Sequence, residues 1–251
     1  MPTEGRPVGR AIAIVKTKGE RMATTDRPTA IVLVTGAAPY LGGSQTWLPL
    51  RRAMPEVEFR ELDALRVADA RDGRAAMREA IEALLDGAAA IVAHATATGP
   101  AVEAVANVDP GIATVLLAPQ HLTRERPVAG AVRALLSRRF FCRLLTTFAQ
   151  SKLAKLRHDE NYVRKQLRLM VSDEALTESL LLEARVRIAD PSTAQAVQRT
   201  ADFLRAALEP IDAGADAMVR RRIVLGKGSL SATMIDSVDE VARALRKLLE
   251  G

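Results

Sequence analysis

The chain has few of the residues that build metal centres and disulfides. Its 251 residues include one cysteine, Cys142, and three widely separated histidines, His94, His121 and His158. A single cysteine cannot form an internal disulfide, and neither residue type shows the spacing of a zinc-ligand set. We therefore expect no structural metal and no cofactor.

Aromatic residues and long apolar runs are also scarce. Aromatics make up 3% of the chain, which argues against the stacking platforms of proteins that bind single-stranded nucleic acid. No apolar run reaches the roughly 18 residues that cross a bilayer. The early run "AIAIV" is shorter than the roughly 7–15 apolar residues of a signal peptide. We expect a cytoplasmic protein with neither nucleic acid nor a membrane as partner.

The chain does have apolar residues and positive charge. An apolar content of 48% can build a large core, and the net charge is +6. Many cations fall between 138 and 168: Arg138, Arg139, Arg143, Lys152, Lys155, Arg157, Arg164, Lys165 and Arg168. They form either a solvated face or a surface that attracts an acidic carrier protein or an anionic substrate. A homodimer is also compatible with this composition.

Strand and helix patterns alternate over the first 119 residues. Strands are predicted at 30–34, 57–62, 88–93 and 113–119, and helices at 47–54, 72–86 and 99–108. This succession predicts a parallel sheet with helices on both faces. Two short strands on either side of Lys18 and Gly19 predict an antiparallel hairpin at the sheet edge.

From Gln120 onward the pattern is helical until the chain returns to the sheet. Helices are predicted at 128–156, 160–171, 173–186 and 190–208, followed by a strand within 220–228 and a helix over 237–251. We interpret residues 1–119 as the first part of an α/β core, 120–200 as a helical cap or lid, and 201–251 as the rest of the core. The three parts make a single unit.

Several segments, in this order, resemble the α/β-hydrolase superfamily along nearly the whole chain. "IVLVTGAAPYLGGSQTWLPL" is similar to its strand, oxyanion loop and helix start, and "AIVAHATATGPAVEAVA" to its nucleophile elbow. "RRRIVLGKGSLSATMIDSVDEVARALRKLLEG" is similar to its last strand, histidine loop and terminal helix. The resemblance implies a mostly parallel, doubly wound sheet of α/β-hydrolase type, with an all-helical cap inserted after the strand "ATVLLAP".

The catalytic residues of that family do not carry over. Its GxSxG elbow aligns with residues 93–97, so Ala95 stands where the nucleophilic serine belongs, and a methyl group cannot attack a carbonyl. "GKGSLS" occupies the place of the base histidine, with Ser229 or a neighbour there. The acid would be Asp212 or Asp216, although "IDAGADAMV" is too short for a full strand and loop. The resemblance therefore implies a degenerate triad that does not work as a serine hydrolase.

The family's oxyanion site would survive, because backbone N–H groups form it. By resemblance these groups belong to Ala37, which follows Gly36, and to Thr96, which follows the nucleophile position. Together with Thr35 and Ala95 they would form a pocket that polarises a carbonyl. The Thr96 hydroxyl would either contact the ligand or cap the following helix.

Two histidines are candidates for moving a proton. His94 precedes the nucleophile position, where a histidine in this family is usually structural. His121 follows the strand "ATVLLAP", and it either faces the cavity or lies in an exposed loop. Together with Thr96, they are the predicted catalytic residues. Asp63, at the end of its strand, would either contact a ligand at the carboxyl edge of the sheet or cap a loop.

These features favour a non-hydrolytic enzyme acting on a carbonyl-containing small molecule by elimination, isomerisation or cyclisation, in secondary metabolism. The alternative is a catalytically inactive binding or scaffold protein of the same fold. The enzyme predicts an enclosed apolar pocket under the cap, and the scaffold predicts a collapsed pocket or a large exposed apolar patch.

A third hypothesis comes from "VLVTGAAPYLGG", which is similar to the TGxxGxxG loop of NAD(P)-dependent short-chain dehydrogenases. Gly36 and Gly42 match that loop, but Pro39 replaces its middle glycine and has no N–H. That family's tyrosine and lysine are four residues apart, whereas Tyr162 and Lys165 are three apart.

Overall fold

A five-stranded parallel sheet forms the centre of the molecule. The computed structural model describes residues 29–36, 41–42, 45–67, 73–119, 134–135, 138–169, 171–199, 209–226, 235 and 237–250. The strands in these ranges are β1 (Ala30–Thr35), β2 (Glu58–Asp63), β3 (Ala88–His94), β4 (Ala113–Leu117) and β5 (Arg222–Leu225). Their order is β2-β1-β3-β4-β5, and every neighbouring pair is parallel. The predicted α/β class is therefore confirmed.

The strand β1 shows why the sheet lies between two layers. All six of its residues are buried. Ile31 and Leu33 join one apolar cluster, whereas Val32 and Val34 join the other. Successive side chains of a strand point to opposite faces, so both faces of the sheet are covered.

The helices that cover the sheet are α1 (Leu48–Ala53), α2 (Gly73–Leu85), α3 (Thr98–Val108), α8 (Ala213–Met218) and α9 (Val238–Glu250). The helices α2 and α3 pack together against one face, with α8 beside α3, and α1 packs with α9 on the other face. This arrangement confirms helices on both faces.

Four further helices, α4 (Arg139–His158), α5 (Glu160–Arg168), α6 (Glu174–Ala189) and α7 (Pro191–Gln198), make up the helical segment of residues 139–199. Asp159, Asp173 and Asp190 cap α5, α6 and α7 by accepting backbone N–H groups of the first turns. The helix expected at 128–156 does not run through that span, because Arg138 has an extended backbone with φ −89° and ψ 122°.

The helical segment is fastened to the loop before α1 and to the carboxyl end of β2. The Arg187 guanidinium donates to Asp63 Oδ1 at 2.7 Å, and the Gln45 backbone N–H donates to Glu183 Oε2 at 2.8 Å. The Ser179 hydroxyl donates to Gln45 Oε1 at 3.0 Å. These contacts hold α6 at the carboxyl edge of the sheet.

The segment expected to be too short for a strand is helical. Asp212 accepts the Ala215 N–H at the start of α8, and Asp216 pairs with Arg222 of β5. The predicted edge hairpin around residue 18, the end of the helix predicted at 190–208 and Ser229 lie outside the described residues. No described helix is long and apolar enough to cross a bilayer.

Candidate functional site

The turn after β3 has a left-handed residue at its apex. His94 ends β3 in an extended conformation, residues 95–97 form a single 3₁₀ turn, and α3 begins at Thr98. The φ of Ala95 is +50°, in the left-handed region that residues with a Cβ rarely adopt. A strained strand-to-helix turn therefore stands where the sequence aligns with the nucleophile elbow.

Ala95 is also the point at which this turn reaches the surface. From residue 91 to residue 100, Ala95 alone is partly exposed, and all the others are buried. The position that would hold a nucleophile is thus accessible, whereas the residues before and after it are buried.

Gly36 touches the same turn from the end of β1. A Cβ on Gly36 would lie 2.7 Å from the His94 carbonyl oxygen and 3.1 Å from the Thr96 backbone nitrogen. Only glycine fits there without movement of backbone. The carboxyl ends of β1 and β3 therefore meet at Gly36 and Thr96.

This meeting point coincides with the topological switch point of the sheet. The strand β2 lies on one side of β1 and β3 lies on the other. The chain leaves β1 toward α1 on one face, whereas it leaves β3 toward α3 on the opposite face. In open parallel sheets a crevice for ligands forms at such a point. The predicted site residues Gly36, Ala95 and Thr96 are brought together here, whereas Ala37 and His121 lie outside the described residues.

The neighbouring threonines hold the turn in place. The buried Thr35 hydroxyl accepts the Trp47 indole N–H at 2.8 Å, and the Thr98 hydroxyl donates to the Ala95 carbonyl at 2.7 Å. Ala97 occupies the N-cap of α3 and supplies no side-chain cap. The first N–H groups of a helix have no partner within that helix. In α3 they lie at the carboxyl edge of the sheet.

His94 is a buried, neutral side chain. It is 6% exposed, and burial lowers its pKa to about 4. Within the described part of the chain, its Nδ1 has no hydrogen-bond partner. A base with so low a pKa is weak at neutral pH, because proton transfer is most efficient when the pKa lies near the working pH. This environment favours the structural interpretation of His94.

We compared the sequence with models of known protein families and with curated protein sequences. No family model and no curated protein matches it. The chemistry of the site must therefore be derived from its own residues. Over the ranges that the structure describes, no group of three or more histidine, cysteine or acidic side chains is arranged to hold a metal ion.

Asp63 is engaged in an ion pair that the sequence did not indicate. Its side chain is 8% exposed and that of Arg187 is 10% exposed, and the guanidinium contacts both carboxylate oxygens. A Cβ on Gly42, whose φ is +115°, would lie 3.0 Å from Arg187 Nη2. The pair is thus enclosed by the loop before α1. Its position ties Asp63 to the helical segment.

A cavity of about 590 Å³ lies between α1 and the starts of α6 and α9. Its lining includes Leu48, Arg52, Asp173, Leu176 and Val238. The cavity has a volume typical of ligand sites. None of the predicted site residues that the structure describes lines it.

Proposed function

We propose that this chain is a degenerate protein of the α/β-hydrolase type, which binds a carbonyl-containing small molecule at the turn after β3 and does not hydrolyse it. The observation that carries the proposal is the left-handed, partly exposed Ala95 beside Gly36. In α/β-hydrolases a strained turn of this kind presents the nucleophile. Here the turn presents a methyl group.

The architecture supports the same proposal. The sheet order and the helices on both faces are compatible with the core of an α/β-hydrolase, and the Asp63–Arg187 pair holds the helical segment at the carboxyl edge, where a cap belongs. We take the described helices of 139–199 as part of a cap that spans 120–200. The order of the described strands differs from the 3-2-1-4-5-6 order of the dinucleotide-binding fold, which weakens the dehydrogenase alternative.

The chemistry follows from what the turn offers. By resemblance to the family's oxyanion site, a carbonyl oxygen at the turn would accept hydrogen bonds from the backbone N–H groups of Thr96 and of Ala37, which lies outside the described residues. The start of α3 adds the positive end of its dipole. Such a site polarises the carbonyl but leaves its carbon unattacked, since Ala95 has no nucleophile. Elimination, isomerisation or cyclisation then needs one proton acceptor, a role that we assign to His121.

An inactive binding protein is the second candidate, and the state of the nearby titratable groups favours it. His94 is buried with a pKa of about 4, and the Asp63 carboxylate is paired with Arg187. A base with the low pKa of His94 accepts a proton from a ligand poorly at neutral pH, and the Asp63 carboxylate is held by the Arg187 guanidinium. Both candidates share the same binding step.

A thiol reporter tests whether the turn presents residue 95 to a ligand. We would place Ala95→Cys in a Cys142→Ala background and treat it with a short nitrophenyl ester. Cysteine reacts without an adjacent base because its thiolate is intrinsically nucleophilic. The matched control is Ala118→Cys, since Ala118 has a similar φ of +47° at the end of β4 but is only 5% exposed.

We expect Ala95→Cys to release one equivalent of nitrophenol and to retain one acyl group by mass spectrometry, because the buried His94 is too weak a base to activate water against the thioester. Ala118→Cys should stay unmodified. Equal modification of the two variants would show that the turn has no special access. Steady hydrolysis by the unmodified chain would mean that a functional triad exists.

A further inference from the structure

The helix α4 exposes a row of large apolar side chains. Phe140, Leu144 and Phe148 are 70%, 57% and 61% exposed, respectively, and follow one another at intervals of four residues. That spacing places them on one side of the helix. Leu153 and Leu156 of the same helix are buried against the rest of the molecule. The helix therefore has one apolar stripe in the core and a second one in solvent.

The charges of α4 are all of one sign. The helix contains Arg139, Arg143, Lys152, Lys155 and Arg157 and has no aspartate or glutamate. At 3.6 residues per turn, Arg143 falls on one side of the exposed row and Lys152 on the other. The Lys152 ammonium lies 6.0 Å from the centre of the Phe148 ring. Cations thus flank the apolar row.

Phe140 is held in its outward position by its neighbour. Its ring meets the ring of the partly buried Phe141 edge to face, with the centres 5.7 Å apart and the planes at 84°. This geometry is a favourable one for two aromatic rings. The contact with Phe141 therefore stabilises the outward orientation of Phe140, the first residue of the row.

We propose that α4 docks on an anionic lipid surface, with Phe140, Leu144 and Phe148 entering the head-group region and the flanking cations facing lipid phosphates. A helix with lysine and arginine beside exposed phenylalanine and leucine is typical of segments that lie in the plane of a membrane interface. This proposal replaces the expectation that no membrane is a partner, which rested on the lack of a long apolar run. Docking differs from spanning, for which no described helix is suited. It is also independent of the proposed ligand site.

Other occupants fit the stripe less well. Two copies of α4 would bring together cations with no acidic side chain on either helix to pair with them, and like charges across an interface disfavour association. A stable protein partner would cover about 800 Å² on each side. The three apolar side chains expose on the order of 400 Å², given the size of aromatic side chains. A lipid surface requires neither a large area nor a complementary shape.

Vesicle flotation of the full chain tests the proposal. We would compare vesicles of phosphatidylcholine that contain phosphatidylglycerol with vesicles of phosphatidylcholine alone. The test variant is Phe140→Gln/Phe148→Gln. The control is Leu182→Gln/Val186→Gln, which changes two side chains of α6 that are 70% and 74% exposed. Circular dichroism would verify that both variants fold.

We expect the chain to float only with the anionic vesicles, and added salt to release it. Binding should fall by about tenfold or more in the test variant, because two inserted rings are lost, and it should be unchanged in the control. The emission of a Phe148→Trp variant should shift to shorter wavelength on the anionic vesicles.

Three outcomes would overturn the proposal. The first is no flotation or equal flotation with neutral vesicles. The second is self-association that Phe140→Gln/Phe148→Gln abolishes, which would assign the stripe to a second copy. The third is binding of an acidic protein without any binding of vesicles.

Discussion

Adding one methyl group at Gly36 perturbs the contact on which the candidate site depends. In Gly36→Ala the new Cβ would lie 2.7 Å from the His94 carbonyl oxygen, 0.7 Å less than the 3.4 Å at which ordinary contact begins. The obstructing atom is backbone in a buried strand, so the end of β1 or the turn must move. Overpacking a core costs about 1–3 kcal/mol, and we expect about 3 kcal/mol here because no flexible side chain can yield. For a chain of this length that corresponds to a fall in Tm of about 6–12 °C.

Gly73→Ala provides the matched control. Gly73 begins α2, and a Cβ there would meet no atom of the described residues within 4 Å. The same methyl should therefore raise the free energy of unfolding by about 0.4–1 kcal/mol, because alanine restricts the unfolded chain. Urea unfolding followed by the fluorescence of the single, buried tryptophan, Trp47, measures both variants. Equal stabilities of Gly36→Ala and Gly73→Ala would refute the close approach of β1 to the turn.

Three other substitutions test the surroundings of the site. His94 has a folded pKa of about 4, below its ordinary value of 6.5. The unfolded chain therefore takes up a proton at this histidine first, and as the pH falls from 6.5 to 4 the free energy of unfolding should drop by up to about 3 kcal/mol. The variant His94→Leu should lack this part of the pH dependence in urea titrations. The same dependence of stability on pH in both proteins would contradict the prediction. Asp63→Asn leaves the Arg187 guanidinium buried without its carboxylate and should lower the free energy of unfolding, measured in urea, by about 3–5 kcal/mol. The double variant Asp63→Leu/Arg187→Met should recover most of that loss. A double variant as unstable as the single one would contradict the role of the ion pair. Trp47→Phe removes the donor to the buried Thr35 hydroxyl and should lower the free energy of unfolding by about 2 kcal/mol by calorimetry, whereas a loss that persists undiminished in a Thr35→Val background would show that the hydrogen bond is not the cause.

Elements with strong local patterns could be predicted from the sequence. The run that forms β1 is apolar from Ala30 to Val34 because both faces of the sheet are covered, and the helices α2 and α9 show apolar residues at helical intervals. Three helices of the helical segment begin after an aspartate, a residue type that caps helix starts. The start of α4 was missed, because no glycine or proline marks the extended Arg138.

The candidate site could be located from the sequence but not described in detail. The small residues that follow β3 indicate a tight turn, which the structure contains. The Asp63–Arg187 pair joins residues 124 positions apart, and only tertiary packing brings them together. The low pKa of His94 likewise depends on the layers that bury it, and the apolar and aromatic row of α4 matches no local pattern of a site.

The measurement that tests the proposed function most directly is amide NMR of the isotope-labelled chain during titration with a short nitrophenyl ester and the ketone of the same shape. Our account predicts shifts at the amides of Gly36 and of residues 95–98 for both compounds, with no release of nitrophenol. Shifts confined to the cavity between α1 and the starts of α6 and α9, at Leu48 and Leu176, would contradict the location of the site. Release of nitrophenol that is lost in Thr96→Ala would contradict the absence of hydrolysis.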